Sequence, residues 1–110
     1  MEDRRKFERV QIPESAKVYA EDSTGKRLGA VVMIGRGGML LMVPQGLLAG
    51  TRQTMYIVDE SEGIRREVPV VVRYSMPDGV GCEFENLEPD AAVEIGVIIG
   101  KYYSSGKMKT

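Results

Sequence analysis

The chain has 110 residues, enough for one compact domain with a single hydrophobic core. Apolar residues make up 43% and charged residues 28%, which is the balance of a folded globular domain. The absence of histidine and the single cysteine, Cys82, exclude a Cys/His zinc site, a histidine-activated nucleophile and an intramolecular disulfide. The net charge of −1 excludes the strongly basic composition typical of proteins that bind duplex DNA or an anionic membrane.

The first nine residues are nearly all charged, and Phe7 is the one apolar side chain among residues 2–9. Such a segment does not fold alone, so we expect a flexible arm over 1–9, a single domain over 10–105 and a short tail over 106–110. No apolar run approaches the roughly 18 residues of a membrane span, and no apolar segment follows the N-terminal charges. We therefore expect a cytoplasmic protein without a membrane partner.

Apolar residues alternate with mostly polar ones from Val10 to Ala20, which predicts a first strand that is buried on one face. Pro13 interrupts this strand and indicates an edge position or a bulge. Five further strands are predicted between turn signals, over 28–34, 39–43, 51–58, 64–74 and 80–84. Asp78-Gly79 is the strongest hairpin signal among those turns. Six short strands separated by turns indicate an all-β fold, either a small barrel or a sandwich.

The segment after Pro89 carries apolar residues at helical spacing, which are Ala91, Ile95, Ile98, Ile99 and Tyr102. Pro89 and Gly106 stand where helices commonly begin and end. Gly96, Gly100 and several β-branched residues oppose a helix because they are poor helix formers. The spacing outweighs these propensities and predicts a helix packed over one end of the strands.

The residue types that carry catalysis do not form a convincing site. Glu83 and Glu85 share one strand face, where a solvated charged surface is the ordinary interpretation. Cys82 alternates with apolar neighbours and is expected to be an unreactive core thiol. The Gly35–Gly38 loop could wrap a phosphate, although a tight β-turn is the favoured interpretation of its glycines when the loop is taken alone. We expect no enzymatic activity, no catalytic residue and no metal site.

The N-terminal arm brings three arginines close together in the chain, Arg4, Arg5 and Arg9. Guanidinium groups are planar and bind phosphates through two parallel hydrogen bonds. An extended or loosely turned arm can place Arg5 and Arg9 around one phosphate ligand. A solvated charged terminus is the alternative interpretation of the same residues.

This Arg-Arg-x-x-x-Arg arm, followed by a strand and a glycine turn, resembles the PilZ domain family. The other segments that carry the resemblance are Gly38-Met39-Leu40-Leu41, Gly50-Thr51, Val70 to Tyr74 and Gly81-Cys82-Glu83-Phe84. The resemblance extends from Arg4 to about Tyr103. It implies a six-stranded antiparallel β-barrel with a C-terminal α-helix. It also implies a bacterial receptor that binds the second messenger cyclic di-GMP, needs no other cofactor and passes the signal to a partner protein.

The family's ligand motif has two parts, of which the first, Arg-x-x-x-Arg, matches Arg5 and Arg9 with Arg4 before them. The second part is Asp/Asn-x-Ser-x-x-Gly, and its glycine matches Gly38. The resemblance thus implies a ligand site formed by Arg4, Arg5 and Arg9 together with the turn residues Gly35, Arg36 and Gly38.

Two positions of the second part depart from the family pattern, since Met33 replaces the acidic residue and Gly35 replaces the serine. A thioether is a weak acceptor, so the hydrogen bond that reads a guanine edge is missing, at a cost of roughly 1–3 kcal/mol. The missing hydroxyl removes roughly 0.5–1.5 kcal/mol more. These differences predict binding on the order of ten- to a thousand-fold weaker than at an intact site, unless Arg36 supplies a replacement contact.

Two functions remain open on these residues. The first is a sensor in which cyclic di-GMP orders the arginine arm on the barrel and creates a surface for a protein partner. The second is an interaction module of the same family with weak or no ligand binding. A barrel that binds RNA is disfavoured, because the chain has few aromatic residues for stacking and no net positive charge. We therefore expect no nucleic acid polymer among the partners.

Overall fold

The computed structural model describes the backbone of residues 9–43 and 47–108, and the side chains of 9–43 and 47–103. Seven strands precede one helix in this part of the chain. The strands are β1 (Arg9–Gln11), β2 (Val18–Asp22), β3 (Arg27–Gly35), β4 (Gly38–Met42), β5 (Arg52–Asp59), β6 (Ile64–Met76) and β7 (Gly79–Phe84). The helix is α1 (Pro89–Met108). No helix within the described ranges is long and apolar enough to cross a membrane.

The strands form a closed antiparallel barrel. The sheet order is β1-β3-β2-β5-β6-β7-β4, and β4 also pairs with β3, which closes the six strands β2 to β7 into a ring. Alternating side chains point inward and form the core, which includes Ile34, Leu41, Met55, Ile57 and Val80, all fully buried. The structure thus confirms an all-β, six-stranded antiparallel barrel with a C-terminal helix, and it decides between the barrel and the sandwich.

The predicted first strand is wrong in one respect, because Val10 to Ala20 forms two strands and not one. Pro13 has no N–H to donate to a strand ladder, and the chain turns there, with the Ala16 amide donating to the Pro13 carbonyl at 3.0 Å. On either side of this turn, β1 pairs with the end of β3 and β2 with its beginning. The two short strands therefore share one edge of β3.

The C-terminal segment is helical, as the spacing predicts. Its inward residues Ala91, Ile95, Ile98, Ile99 and Tyr102 are all buried against the barrel. The helix continues to Met108, past the predicted end of the domain at residue 105. It packs against β1, β3 and β6. Burial of this apolar face offsets the low helix propensity of the β-branched residues.

A buried carboxylate joins the β5–β6 turn to the helix. Asp59 is fully buried, and its Oδ1 accepts hydrogen bonds from the Ser61 amide at 3.1 Å and the Ser61 hydroxyl at 2.8 Å. Its Oδ2 lies 4.0 Å from the Lys101 ammonium nitrogen on α1. Lys101 also pairs with Glu62 in the same turn at 3.1 Å. These contacts fix the second half of α1 to one end of the barrel.

Candidate functional site

An open groove of about 840 Å³ crosses the barrel surface where β1 and the β3–β4 hairpin meet β6 and β7. Residues from all five strands line it. They are Arg9, Met33, Ile34, Gly35, Gly37, Gly38, Met39, Leu40, Arg73, Tyr74, Gly81, Cys82 and Glu83. A groove of this volume lies within the roughly 300–1,000 Å³ range of small-molecule sites.

Arg9 stands at one edge of the groove because β1 pairs with the end of β3. It is the first residue of β1, lies opposite Gly35 in the ladder and is exposed. Arg4 and Arg5, the other predicted arginines, lie outside the described residues.

The glycine loop is the turn of the β3–β4 hairpin, with Arg36 and Gly37 between the two strands. Gly35 and Gly38 line the groove, whereas Arg36 is exposed and lies outside the lining. An added Cβ at Gly38 would lie 2.2 Å from the carbonyl oxygen of Cys82. Close pairing of β4 with β7 therefore requires glycine there, independently of any ligand.

Met33 and Leu40 form an apolar part of the groove. They lie opposite each other on β3 and β4, and both are half-buried. A register shift between Val31 and Met33 gives β3 one extra residue at this point. The side chain that replaces the family's acidic residue therefore does line the groove, but it offers an apolar surface where an acceptor is expected.

Sequence reasoning missed the β6–β7 side of the groove. The Tyr74 ring lies over Gly81, where an added Cβ would meet ring carbons at 2.3 and 2.4 Å, and the tyrosine is 47% exposed. Beside it, Arg73 and Glu83 form an exposed ion pair across the two strands. A register shift between Val72 and Tyr74 makes Arg73 the extra residue of β6.

The hairpin at Pro77-Asp78 contained the signal that could have found these residues. Counting back from Met76 opposite Gly79 places Ser75 opposite Val80 and Tyr74 opposite Gly81. A large aromatic residue facing a glycine across two strands commonly lies over it. The sequence therefore contained the Tyr74–Gly81 pair, although not its position in the same groove as Arg9.

The charged groups of the described groove are two arginines and one glutamate, Arg9, Arg73 and Glu83. Cys82 also lines the groove but is only 4% exposed, and burial raises the pKa of its thiol from 9.0 to about 11. A protonated thiol is a poor nucleophile and metal ligand. Among the residues that the structure describes, no cluster of three or more potential metal ligands occurs.

Comparison with known proteins agrees with this architecture. Comparison with curated proteins finds no match. Among solved structures, the fold is similar to that of an uncharacterised Legionella protein, Lpg0364, at a TM-score of 0.66 and 10% sequence identity, over 92% of this chain and 99% of that chain. The family model for the PilZ domain matches residues 3–100. Because that match spans most of the sequence, the chain belongs to the PilZ domain family.

Proposed function

We propose that this protein is a receptor domain for cyclic di-GMP, and that ligand binding in the groove is coupled to a partner protein. The observation that carries the proposal is the position of Arg9 at the edge of an 840 Å³ groove. A segment with two further arginines, Arg4 and Arg5, precedes it in the chain. The family is one of binding and adaptor domains, so the proposed role is recognition and not catalysis.

The charged side chains of the groove suit a guanine nucleotide with two phosphates. Guanidinium groups bind phosphate oxygens and the O6/N7 edge of guanine, and the exposed Arg9 can take either role. Glu83 is a carboxylate that lines the groove, and carboxylates accept hydrogen bonds from the N–H groups of a guanine edge. Glu83 therefore supplies the acceptor that Met33 lacks.

Tyr74 adds a surface on which a base can stack. Its ring covers Gly81, the residue lines the groove, and 47% of it is exposed. Stacking of a base on an aromatic side chain is worth roughly 1–3 kcal/mol. Stacking on Tyr74 therefore adds to the hydrogen bond that Glu83 can accept.

Calorimetric titration with cyclic di-GMP tests the proposal. We expect saturable binding that weakens with added salt, because the phosphate contacts are charge-assisted. Arg9→Ala should reduce affinity at least about tenfold, the equivalent of roughly 1.4 kcal/mol. The matched control is Arg27→Ala, which removes an exposed arginine from the opposite end of β3 and should bind as the parent does. Equal binding by the Arg9→Ala variant contradicts the proposal.

The apolar pair Met33 and Leu40 favours a second candidate, a module that acts through protein contacts without a nucleotide. Met33→Asp combined with Gly35→Ser restores the family's acceptor and hydroxyl. Since Met33 is half-buried and lines the groove, a new carboxylate there can reach solvent. If the parent binds no cyclic di-GMP and the folded double variant does, the second candidate is correct. If the change at the buried Gly35 prevents folding, the single variant Met33→Asp takes the place of the double variant in this test.

A further inference from the structure

The outward face of α1 is apolar, although the helix lies at the protein surface. Val93 is 66% exposed and Val97 is 46% exposed. Gly96 and Gly100 lie beside them at helical spacing, so the four residues form one stripe along the helix. We call Val93, Gly96, Val97 and Gly100 the outward stripe. A surface helix ordinarily carries polar residues on the face opposite its core contacts.

The barrel gives no reason for the two glycines of the outward stripe. A Cβ added at Gly96 or Gly100 would meet nothing within 4 Å among the described residues. Both glycines weaken a helix that alanine would strengthen. What glycine does permit on a helix surface is close approach of another backbone.

Charged residues flank the stripe along one edge of the helix. Glu94 and Lys101 are seven residues apart, which places them two turns apart on the same edge. Each is about one-third exposed, and each has a partner on its own barrel, Arg66 for Glu94 at 2.8 Å and Glu62 for Lys101 at 3.1 Å. Their signs are opposite at the two ends of the stripe.

We propose that the outward stripe binds the same stripe of a second copy of this chain, with the two helices antiparallel. In an antiparallel pair each edge of one helix meets the same edge of the other, so Glu94 approaches Lys101 of the second copy, and Lys101 approaches its Glu94. A parallel pair would instead place the Glu94/Lys101 edge of one helix beside the opposite edge of the other, and these charge pairs would not form. A two-fold axis near Val97 therefore makes the surface self-complementary in shape and in charge.

The barrels do not obstruct this arrangement. The inward residues of α1, such as Ile95 and Ile98, are buried against the barrel, so the outward stripe is the layer farthest from it. In the dimer the two barrels lie on opposite sides of the helix pair. A contact of one helix with another is small, and we expect a weak dimer that forms as protein concentration rises.

Disulfide crosslinking tests both the contact and its direction. Near the two-fold axis, two copies of a Val97→Cys variant lie close enough to bond under mild oxidation. Two copies of a Val93→Cys variant lie about 13 Å apart along the axis, beyond the reach of a disulfide. The native Cys82 is buried with a raised pKa and does not compete. A Leu48→Cys variant is the control, because Leu48 is 80% exposed and its crosslinking rate reports random collision between molecules.

We expect the Val97→Cys variant to crosslink at least about tenfold faster than the other two, a difference of roughly 1.4 kcal/mol in effective contact. Equal rates for Val97→Cys and Leu48→Cys overturn the contact, and faster crosslinking of Val93→Cys overturns the antiparallel direction. Sedimentation without a crosslink is the second measurement. Val97→Lys should weaken self-association at least about tenfold, and Leu48→Lys should leave it unchanged. A parent chain that remains monomeric at high concentration also overturns the proposal.

Discussion

The glycines of the groove are tightly packed, whereas the glycines of α1 have open space around them. In the groove, a Cβ on Gly38 or Gly81 would collide with the Cys82 carbonyl or the Tyr74 ring, at 2.2 and 2.3 Å. In α1, a Cβ on Gly96 or Gly100 would meet open space. Glycine is therefore required by internal packing in the first region and unsupported by it in the second.

This difference changes how a motif glycine is interpreted. Gly38 matches the last residue of the family's second ligand motif, yet its presence follows from the close pairing of β4 and β7 alone. The presence of Gly38 in a motif that otherwise departs from the family pattern, at Met33 and Gly35, is therefore not by itself a sign of ligand binding. Arg9 is the stronger sign, because nothing in the described barrel requires an exposed arginine at the end of β1.

The largest expected effect comes from Gly38→Ala. The new Cβ would meet backbone atoms of Cys82 and Glu83, and a backbone cannot swing aside as a side chain can. We expect a loss of about 3 kcal/mol in the free energy of unfolding, typical of strong overpacking. Urea denaturation measures it. Gly37→Ala is the matched control in the same turn, where a Cβ meets nothing within 4 Å and the change should be near zero. Equal losses in the free energy of unfolding for Gly38→Ala and Gly37→Ala would contradict the distinction between packed and open glycines.

A second test uses Cys82, whose carbonyl confines Gly38. Burial raises the pKa of its thiol from 9.0 to about 11, so the folded state holds the proton more tightly than the unfolded state. The resulting stability is complete below about pH 9 and declines as pH rises toward 11, by up to about 3 kcal/mol. Urea denaturation of the parent and of Cys82→Ala across this range isolates the thiol, because other groups titrate in both. Parallel pH profiles would show that burial of Cys82 does not perturb its ionisation.

Gly81→Ala is expected to have a smaller effect on stability than Gly38→Ala. Here the obstacle is the Tyr74 ring, an exposed side chain that can rotate away from β7. We expect a loss of about 1–2 kcal/mol. Under the proposed function, cyclic di-GMP affinity should fall together with stability, because the ring no longer lies over the groove. Tyr74→Leu separates the two effects, since it removes the stacking ring without placing a Cβ beneath it. Unchanged affinity in both variants would remove Tyr74 from the site.

The smallest effect has the opposite sign. Gly96→Ala and Gly100→Ala should each stabilise the chain by about 1 kcal/mol or less, because alanine favours a helix and the new Cβ has room. The measurement is thermal unfolding at low protein concentration, where self-association contributes little. Destabilisation by either variant under that condition would mean that α1 needs these glycines within a single chain.

The sequence predicted the elements whose signal is local and repeated. Apolar segments bounded by turn signals located the strands from β3 to β7 to within two residues at each end, and Ala91, Ile95 and Ile98 identified the inward face of α1. The division of the first strand at Pro13 was not predicted, because a proline permits either a bulge or a complete break.

The candidate site was less accessible from the sequence than the fold. Arg9, Gly35 and Gly38 could be named from a resemblance, and all three line the groove. Tyr74 and Glu83 could not, because their place in the same groove as Arg9 depends on barrel closure between β4 and β7 and on an extra residue in β6. Neither feature has a signature in local sequence.

The shortness of β1 links the groove to the helix. Arg9 faces the groove, while the next residue, Val10, is 5% exposed in the core, and α1 packs against this same strand. One peptide unit thus separates a side chain that lines the groove from the support of the helix. Binding linkage is reciprocal, so any free energy that a ligand contributes to keeping β1 in place also holds α1 on the barrel. Under the proposed function, ligand binding in the groove and packing of α1 on the barrel are therefore coupled through β1.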